Sequence, residues 1–193
     1  MPDIFRAATD VEPGKVKKPY FSSRRVPKNV PYLVDNIWAW TRPDEYPDRR
    51  TCAYGSLSPE QAEESGEGDA YRVRFQGDHT ICQVVGHPDA KKHPDVREIE
   101  DAVHNLLGKY DWSNQPMNEK VTAGRLYMPV LTDAEVQEVL ERVGLARREL
   151  ASLRDAVQFW EDTEIVEEGD FPGTVGEIFF EYPDGYVLEP VDA

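Results

Sequence analysis

The sequence is poor in cysteine, with only Cys52 and Cys82 among its 193 residues. Two cysteines do not make a disulfide framework, and neither of them belongs to a CxxC motif. We therefore expect two buried free thiols. The four histidines follow none of the spacings that are typical of zinc sites, so the sequence predicts no metal site.

Long apolar runs and a secretion signal are also missing. No apolar stretch approaches the roughly 18–20 residues that a membrane-spanning helix needs. The N-terminal sequence MPDIFRAATD lacks a basic region followed by an apolar core. We expect a cytoplasmic protein, or one that is delivered into a host cytoplasm without a conventional signal.

Basic charge is scarce, because 22 Lys and Arg residues face 37 Asp and Glu residues and the formal net charge is −15. Stable nucleic-acid binding needs basic side chains that replace the counterions of phosphates, so direct binding of this kind is not expected. The charge instead favours solubility or a basic protein partner. A hydrophobic fraction of 39% with 31% charged residues indicates a globular chain and excludes a disordered one.

The common signatures of nucleophiles and phosphate sites are absent. The segment Gly55-Ser56-Leu57-Ser58 is not a GxSxG elbow, and the chain has neither a P-loop nor a GxGxxG motif. His79 lies three residues before Cys82 and His87 follows it, but this spacing fits no standard motif, and a pairing of cysteine and histidine in space stays open.

Periodicity and turn residues indicate an α+β fold. The patterns predict strands over 3–8, 51–56 and 124–131, hairpins over 70–85 and 176–191, and helices over Tyr32–Thr41, 95–107, 133–143 and 146–160. Residues 9–31 form a long irregular connection. Because strands come from both ends of the chain, we expect one domain over 1–193.

The segment AYGSLSPEQA, residues 53–62, contains two serines with different explanations. Ser58, followed by Pro59 and by Gln61 at N3, is typical of a helix cap with a capping box. Thr132 and Glu135 form a second such pattern. Ser56 has no comparable local explanation, and taken alone it is typical of a turn.

Three separated segments together resemble the ADP-ribosyltransferase-like family of the Arg-Ser-Glu class. They are IFRAA with Arg6, AYGSLSPEQA with Ser56, and GEIFFEYPDGYVLEPV with Glu177. In that family an Arg on the first strand, a Ser at the end of a later strand and a Glu on a late strand meet in one NAD cleft. The resemblance implies a split, mixed or antiparallel β core with flanking helices, and NAD as the cofactor.

The resemblance also implies roles for these residues. Glu177 would stabilise the positive charge that develops on the ribose when the nicotinamide bond breaks. Arg6 would hold the phosphates of NAD, and Ser56 would orient the Glu or the Arg. Taken alone, each has a simpler interpretation: Arg6 as a surface or ion-paired group, and Glu177, with Glu181, as a solvent-facing position of an alternating strand.

Four further residues are candidate contacts of NAD. Tyr54 belongs to the Ser56 segment, and Arg49 and Arg50 precede it as candidate contacts of an anion. Trp38 and Trp40 lie about 200° apart on a helix, so they cannot share one face. Either Trp38 stacks on a nucleotide base or a partner, or the helix is covered on two sides.

The resemblance implies an ADP-ribosyltransferase that modifies a protein or other macromolecule, or an NAD glycohydrolase. Compact members are often toxins, effectors or phage-borne host modifiers. Val175 stands where arginine-modifying members carry an acidic residue, and Ser56-Leu57-Ser58 replaces the usual Ser-Thr-Ser, so transfer and hydrolysis both stay open. The alternative is an acidic, non-enzymatic inhibitor or immunity protein for a basic partner, which the charge of −15 favours.

Overall fold

The computed structural model describes residues 3–19, 25–167 and 170–191. Contacts divide the chain into two compact units. Unit 1 comprises the described residues of Met1–Arg24, Asp44–Lys92 and Asp162–Ala193, and unit 2 comprises Arg25–Pro43 and His93–Glu161. In the described part of the chain, all seven strands belong to unit 1, and five of the six α-helices belong to unit 2.

The α+β class predicted from the order of elements is confirmed, with two antiparallel sheets and six α-helices among the described residues. The prediction that 1–193 form one domain stays a prediction. Residues 9–19 and 25–31 contain no helix or strand apart from a bridge at Lys17, and 20–24 of the predicted connection lie outside the described residues. None of the described helices is long and apolar enough to cross a bilayer.

Unit 1 contains both sheets. Its elements are β1 (Phe5–Ala8), β2 (Ala53–Gly55), α2 (Pro59–Ser65), β3 (Asp69–Phe75), β4 (Thr80–Val85), β5 (Thr163–Ile165), β6 (Gly176–Glu181) and β7 (Tyr186–Pro190). One sheet has the strand order β1-β3-β7 and the other has the order β2-β6-β4-β5. Alternate residues of both sheets form a shared apolar core, since Val73 and Leu188 of the first cluster with Ile81, Ile178 and Phe180 of the second.

The two sheets touch at Ser56, directly after β2. The backbone N–H of Ser56 donates to the carbonyl of Phe5 at 2.8 Å, and the N–H of Phe5 donates back at 2.9 Å. Gly55 allows this close approach, because a Cβ there would lie 2.6 Å from Ile4 Cγ2 and 2.9 Å from the Phe5 carbonyl oxygen. The last residue of the AYGS segment therefore joins β1 to the sheet that contains β6.

Both predicted hairpins are wrong, although their strands exist. β3 pairs with β7 and β4 pairs with β6, so the chain changes sheets after Phe75 and again after Glu181. The two corners bond to each other instead: Gln76 N–H donates to the Gly185 carbonyl at 3.0 Å, and Asp78 N–H donates to Asp184 Oδ2 at 2.9 Å. Turn residues predict a change of direction, but strand partners depend on contacts distant in sequence.

Unit 2 is helical in its described residues. Its elements are α1 (Tyr32–Thr41), α3 (Asp95–Lys109), α4 (Met117–Gly124), α5 (Asp133–Arg142) and α6 (Arg147–Asp155). The buried carboxylate of Asp95 accepts hydrogen bonds from the Trp38 indole at 2.8 Å and from the backbone N–H groups of Gln158 and Phe159 at 3.2 and 3.0 Å. It thus fixes the segment that follows α6 against α1.

The strand predicted over 124–131 is wrong. Gly124 ends α4, and a 3₁₀ turn covers Arg125–Tyr127. The side chain of Asn36, which is fully buried, donates to the carbonyls of Leu126 and Met128 and accepts from the N–H of Leu131. One amide side chain thus satisfies backbone groups that the sequence pattern would have assigned to a neighbouring strand.

Both predicted helix caps form, but only the one at Thr132 has the predicted reciprocal capping box. Ser58 accepts a hydrogen bond from the Gln61 N–H at 3.2 Å, but the Gln61 side-chain oxygen has no hydrogen-bond partner among the described residues. Thr132 and Glu135 form the full reciprocal capping box. Caps are predictable because both partners lie within one helical turn.

Candidate functional site

Glu177, on β6, is held at both carboxylate oxygens. Arg49 Nη2 lies 2.5 Å from Glu177 Oε1, and the side chains of Arg49 and Glu177 are only 8% and 15% exposed. The backbone N–H of Ala90 donates to Oε2 at 2.9 Å. Removing one partner from so buried a pair costs about 3–5 kcal/mol, because it leaves the other charge uncompensated.

Arg49 lies against two aromatic rings that neighbouring strands present on one face. Tyr54 and Phe179 are directly opposite each other in the β2–β6 ladder. The Arg49 guanidinium carbon lies 5.4 Å from the centre of the Tyr54 ring and 5.5 Å from that of Phe179. The Tyr54 hydroxyl donates to the backbone carbonyl of Arg49 at 2.7 Å. Because Glu177 precedes Phe179 by two residues, its side chain lies on the same face.

Arg6, on β1, contacts the backbone of Tyr54, whose ring lies beside Arg49. Its Nη1 donates to the backbone carbonyl of Tyr54 at 3.1 Å. The side chain is partly exposed, and no ion pair involves Arg6 in the part of the chain that the structure describes. Arg6 therefore keeps a charge that no described carboxylate compensates.

Ser56 is buried, with 5% of its surface exposed. Its hydroxyl lies 3.5 Å from that of Ser65 at the end of α2. Gly55, directly before Ser56, pairs with Ile178, which directly follows Glu177. Ser56 thus lies between Phe5 on one side and the start of β6 on the other.

The structure therefore brings Arg6, Ser56 and Glu177 onto neighbouring backbone segments, but not into direct contact. No hydrogen bond or ion pair joins any two of these three side chains within residues 3–19, 25–167 and 170–191. The close side-chain contact is the one between Arg49 and Glu177.

The remaining sequence candidates are buried. Arg50 is 3% exposed, and its backbone N–H donates to Asp48 Oδ1 at 3.0 Å. Trp38 is 1% exposed, and its ring stacks on Phe159 with centroids 4.1 Å apart. Trp40 is also buried, so α1 is covered on two sides, as the simpler of the two interpretations expected.

Both cysteines are free and fully buried, which confirms the prediction. Burial raises the pKa of the Cys82 thiol to about 12, and burial beside Cys82 raises the pKa of Cys52 further above the usual range. A thiolate nucleophile is therefore disfavoured at either position at neutral pH.

A cavity of about 440 Å³ in unit 1 lies apart from these residues. It is lined by Ile4, Val73, Phe75, His79 and Phe171, among others, and by none of the predicted site residues. The charged groups Asp3 and Arg74 at this cavity pair with each other at 3.0 Å. Its lining thus offers a ligand mainly apolar and aromatic surface.

Sequence reasoning missed two groups that surround Glu177. They are the Ala90 N–H and the carbonyl of His87, which accepts from the Glu177 backbone N–H at 2.6 Å. Backbone groups carry no sequence signal of this role.

Comparisons with protein-family models, with curated proteins and with solved structures give no match to this chain.

Proposed function

We propose that this chain is an ADP-ribosyltransferase-like enzyme that uses NAD, with the split β core and flanking helices of that family. One observation carries the proposal. The Phe5–Ser56 bridge and the β2–β6 register make the segments of Arg6, Ser56 and Glu177 lateral neighbours. The three residues come from widely separated parts of the chain, so this adjacency is not a consequence of sequence proximity.

The chemistry assigns one role to each residue. Glu177 binds a ribose hydroxyl and stabilises the oxocarbenium-like charge as the nicotinamide bond breaks. Aimed electrostatic groups of this kind are worth roughly 3–4 kcal/mol each. Arg6, which has no described ion-pair partner, holds the phosphates of NAD. Ser56, at the point where the two sheets meet, orients Glu177 or Arg6.

The acceptor is a protein or other macromolecule, or water when NAD is hydrolysed. Val175, at the position of the acidic residue in arginine-modifying members, is 38% exposed and offers no acceptor-activating group. The proposal therefore covers both transfer and hydrolysis, in the setting of a toxin, effector or phage-borne host modifier.

The test is nicotinamide release from NAD by the purified protein, with Glu177→Gln and Arg6→Ala as variants. We expect wild type to release nicotinamide, Glu177→Gln to lose about 100-fold or more in kcat, and Arg6→Ala to lose activity mainly at NAD concentrations below its raised KM. Glu181→Gln is the matched control, because Glu181 lies on the same strand but is exposed, and it should keep wild-type activity. Thermal melting shows whether each variant is folded. No release by wild type, with and without cell lysate, contradicts the proposal.

The second candidate function is an acidic binding or inhibitor protein for a basic partner. It is favoured by the segment 162–193, which contains ten acidic residues and no Lys or Arg. An inactive wild type that retains one strongly basic protein in a pull-down, with salt-dependent affinity, would support this candidate over the enzyme.

A further inference from the structure

We propose that Arg49 is a positioning residue for Glu177 and not a ligand of NAD. The inference rests on the proposed function. It gives Arg49 a different role from the one that the sequence suggests, which was contact with an anionic ligand. Arg6 and Arg49 then divide two tasks: Arg6 binds the cofactor and Arg49 fixes the carboxylate that acts on it.

The first support is that the Glu177 carboxylate already compensates the charge of Arg49. Its Nη2 lies 2.5 Å from Glu177 Oε1 in surroundings that leave both side chains less than one-sixth exposed. A phosphate bound to the same guanidinium would lie close to the Glu177 carboxylate, so two anions would repel each other beside one cation in partly buried surroundings. Arg6 has no such competing ion pair among the described residues.

The second support is that Arg49 is itself fixed. The rings of Tyr54 and Phe179 lie beside its guanidinium, and the Tyr54 hydroxyl holds its backbone carbonyl. These rings belong to paired strands, so their positions follow from the β2–β6 ladder. A group held this way is suited to orienting a neighbour and poorly suited to following a mobile ligand.

The third support is that Glu177 is held from two directions. Arg49 contacts Oε1, while the Ala90 N–H contacts Oε2 at 2.9 Å. Each carboxylate oxygen still has a lone pair for a ribose hydroxyl. Loss of Arg49 would leave the Ala90 N–H as the remaining described hydrogen-bond donor to the Glu177 carboxylate. A displacement of about 1 Å at a reacting centre costs on the order of 100-fold in rate.

The experiment measures kcat and KM for nicotinamide release and the Kd for NAD by calorimetry in wild type, Arg49→Ala, Arg49→Lys and Arg6→Ala. For Arg49→Ala we expect kcat to fall about 100-fold with an unchanged Kd. Arg49→Lys should recover part of kcat, because the contact to Glu177 needs one donating nitrogen. Arg6→Ala should show the opposite pattern, a weakened Kd and a raised KM.

Two further variants sharpen the result. Arg49→Ala combined with Glu177→Gln should be no slower than Glu177→Gln alone, since Arg49 acts only through that carboxylate. Arg74→Ala is the matched control, because Arg74 also pairs with carboxylates in unit 1 but lies outside the site, and it should leave kcat unchanged.

Three results would overturn the inference. An Arg49→Ala variant that keeps kcat but binds NAD more weakly would make Arg49 a cofactor ligand. A variant that is folded and unchanged in both quantities would leave the Arg49–Glu177 pair a purely structural one. A wild type that releases no nicotinamide would contradict the proposed function and therefore the inference as well. The first two results require an active wild type, so they contradict the inference alone.

Discussion

Single residues show how strongly the neighbours decide what a side chain does. Glu177 and Glu181 lie on one strand, four residues apart, and alternation puts them on one face. Glu177 is nearly buried against Arg49 and Ala90, whereas Glu181 is exposed. The alternation by itself made both carboxylates solvent-facing and only the family resemblance singled out Glu177, whereas Phe179 between them is as fully buried as Ile178 and Phe180.

The buried thiols predict a loss of stability at high pH. Their folded-state pKa values are raised above the value of about 8.5 in unfolded chains, so the folded protein holds more protons. The contribution of each protonated thiol to the free energy of unfolding is complete below about pH 8.5. It falls by up to about 1.4 kcal/mol per pH unit as the pH rises toward 12. Urea unfolding between about pH 8 and 10 measures this slope.

A Cys82→Ala variant provides the control for that slope. It should be less stable than wild type at every pH because it leaves a cavity, but its stability should fall less steeply with pH. Equal slopes in the two proteins would mean that the Cys82 thiol is not protected from ionisation in the folded state.

The positions of helices and strands were easier to predict than the pairing between strands. The helix Tyr32–Thr41 has the predicted bounds, and β1, β3, β4 and β6 exist near their predicted positions. The amphipathic pattern of each segment depends on nearby residues, so it is the same whichever strand or helix the segment packs against. The exchange of strands between sheets was not predictable, because it depends on β3 meeting β7 across more than one hundred residues of chain.

The junction of the two sheets gives a prediction for Gly55, and Gly108 in helix α3 provides the comparison. Gly55→Ala should destabilise the protein by about 2 kcal/mol or more, since the new Cβ would meet Ile4 and the Phe5 carbonyl oxygen. Gly108→Ala, in α3 with no atom within 4 Å of the new Cβ, should stabilise it by roughly 0.5–1 kcal/mol. Urea unfolding checks both values, and a Gly55→Ala variant as stable as wild type would contradict this description of the junction.

The whole molecule carries a net charge of −15, and its C-terminal 162–193 contribute ten acidic residues without a basic one. Among the described residues of that segment, Glu164, Glu167, Asp170, Glu181 and Asp184 are exposed. Many like charges on a compact surface repel one another, and folding brings them closer together.

This repulsion predicts that salt stabilises the protein. Raising NaCl from about 20 mM to about 500 mM shortens the Debye length from roughly 20 Å to a few ångströms and screens the repulsion. We expect the melting temperature to rise by several degrees in calorimetry at pH 7. A melting temperature that falls with salt would show that favourable exposed ion pairs, such as Arg74 with Glu189, outweigh the net charge.

The α+β class could be predicted from the residues alone, and so could the helix caps at Ser58 and Thr132 and the burial of both cysteines. These features depend on side-chain type and on residues within one or two turns, so they are encoded locally. The folded chain was needed to show that Ser56 joins two sheets, that Asn36 takes the place of a strand partner, and that Arg49 binds Glu177. Each of these contacts links residues far apart in the chain, and it forms only after the core has fixed the strands that bring them together.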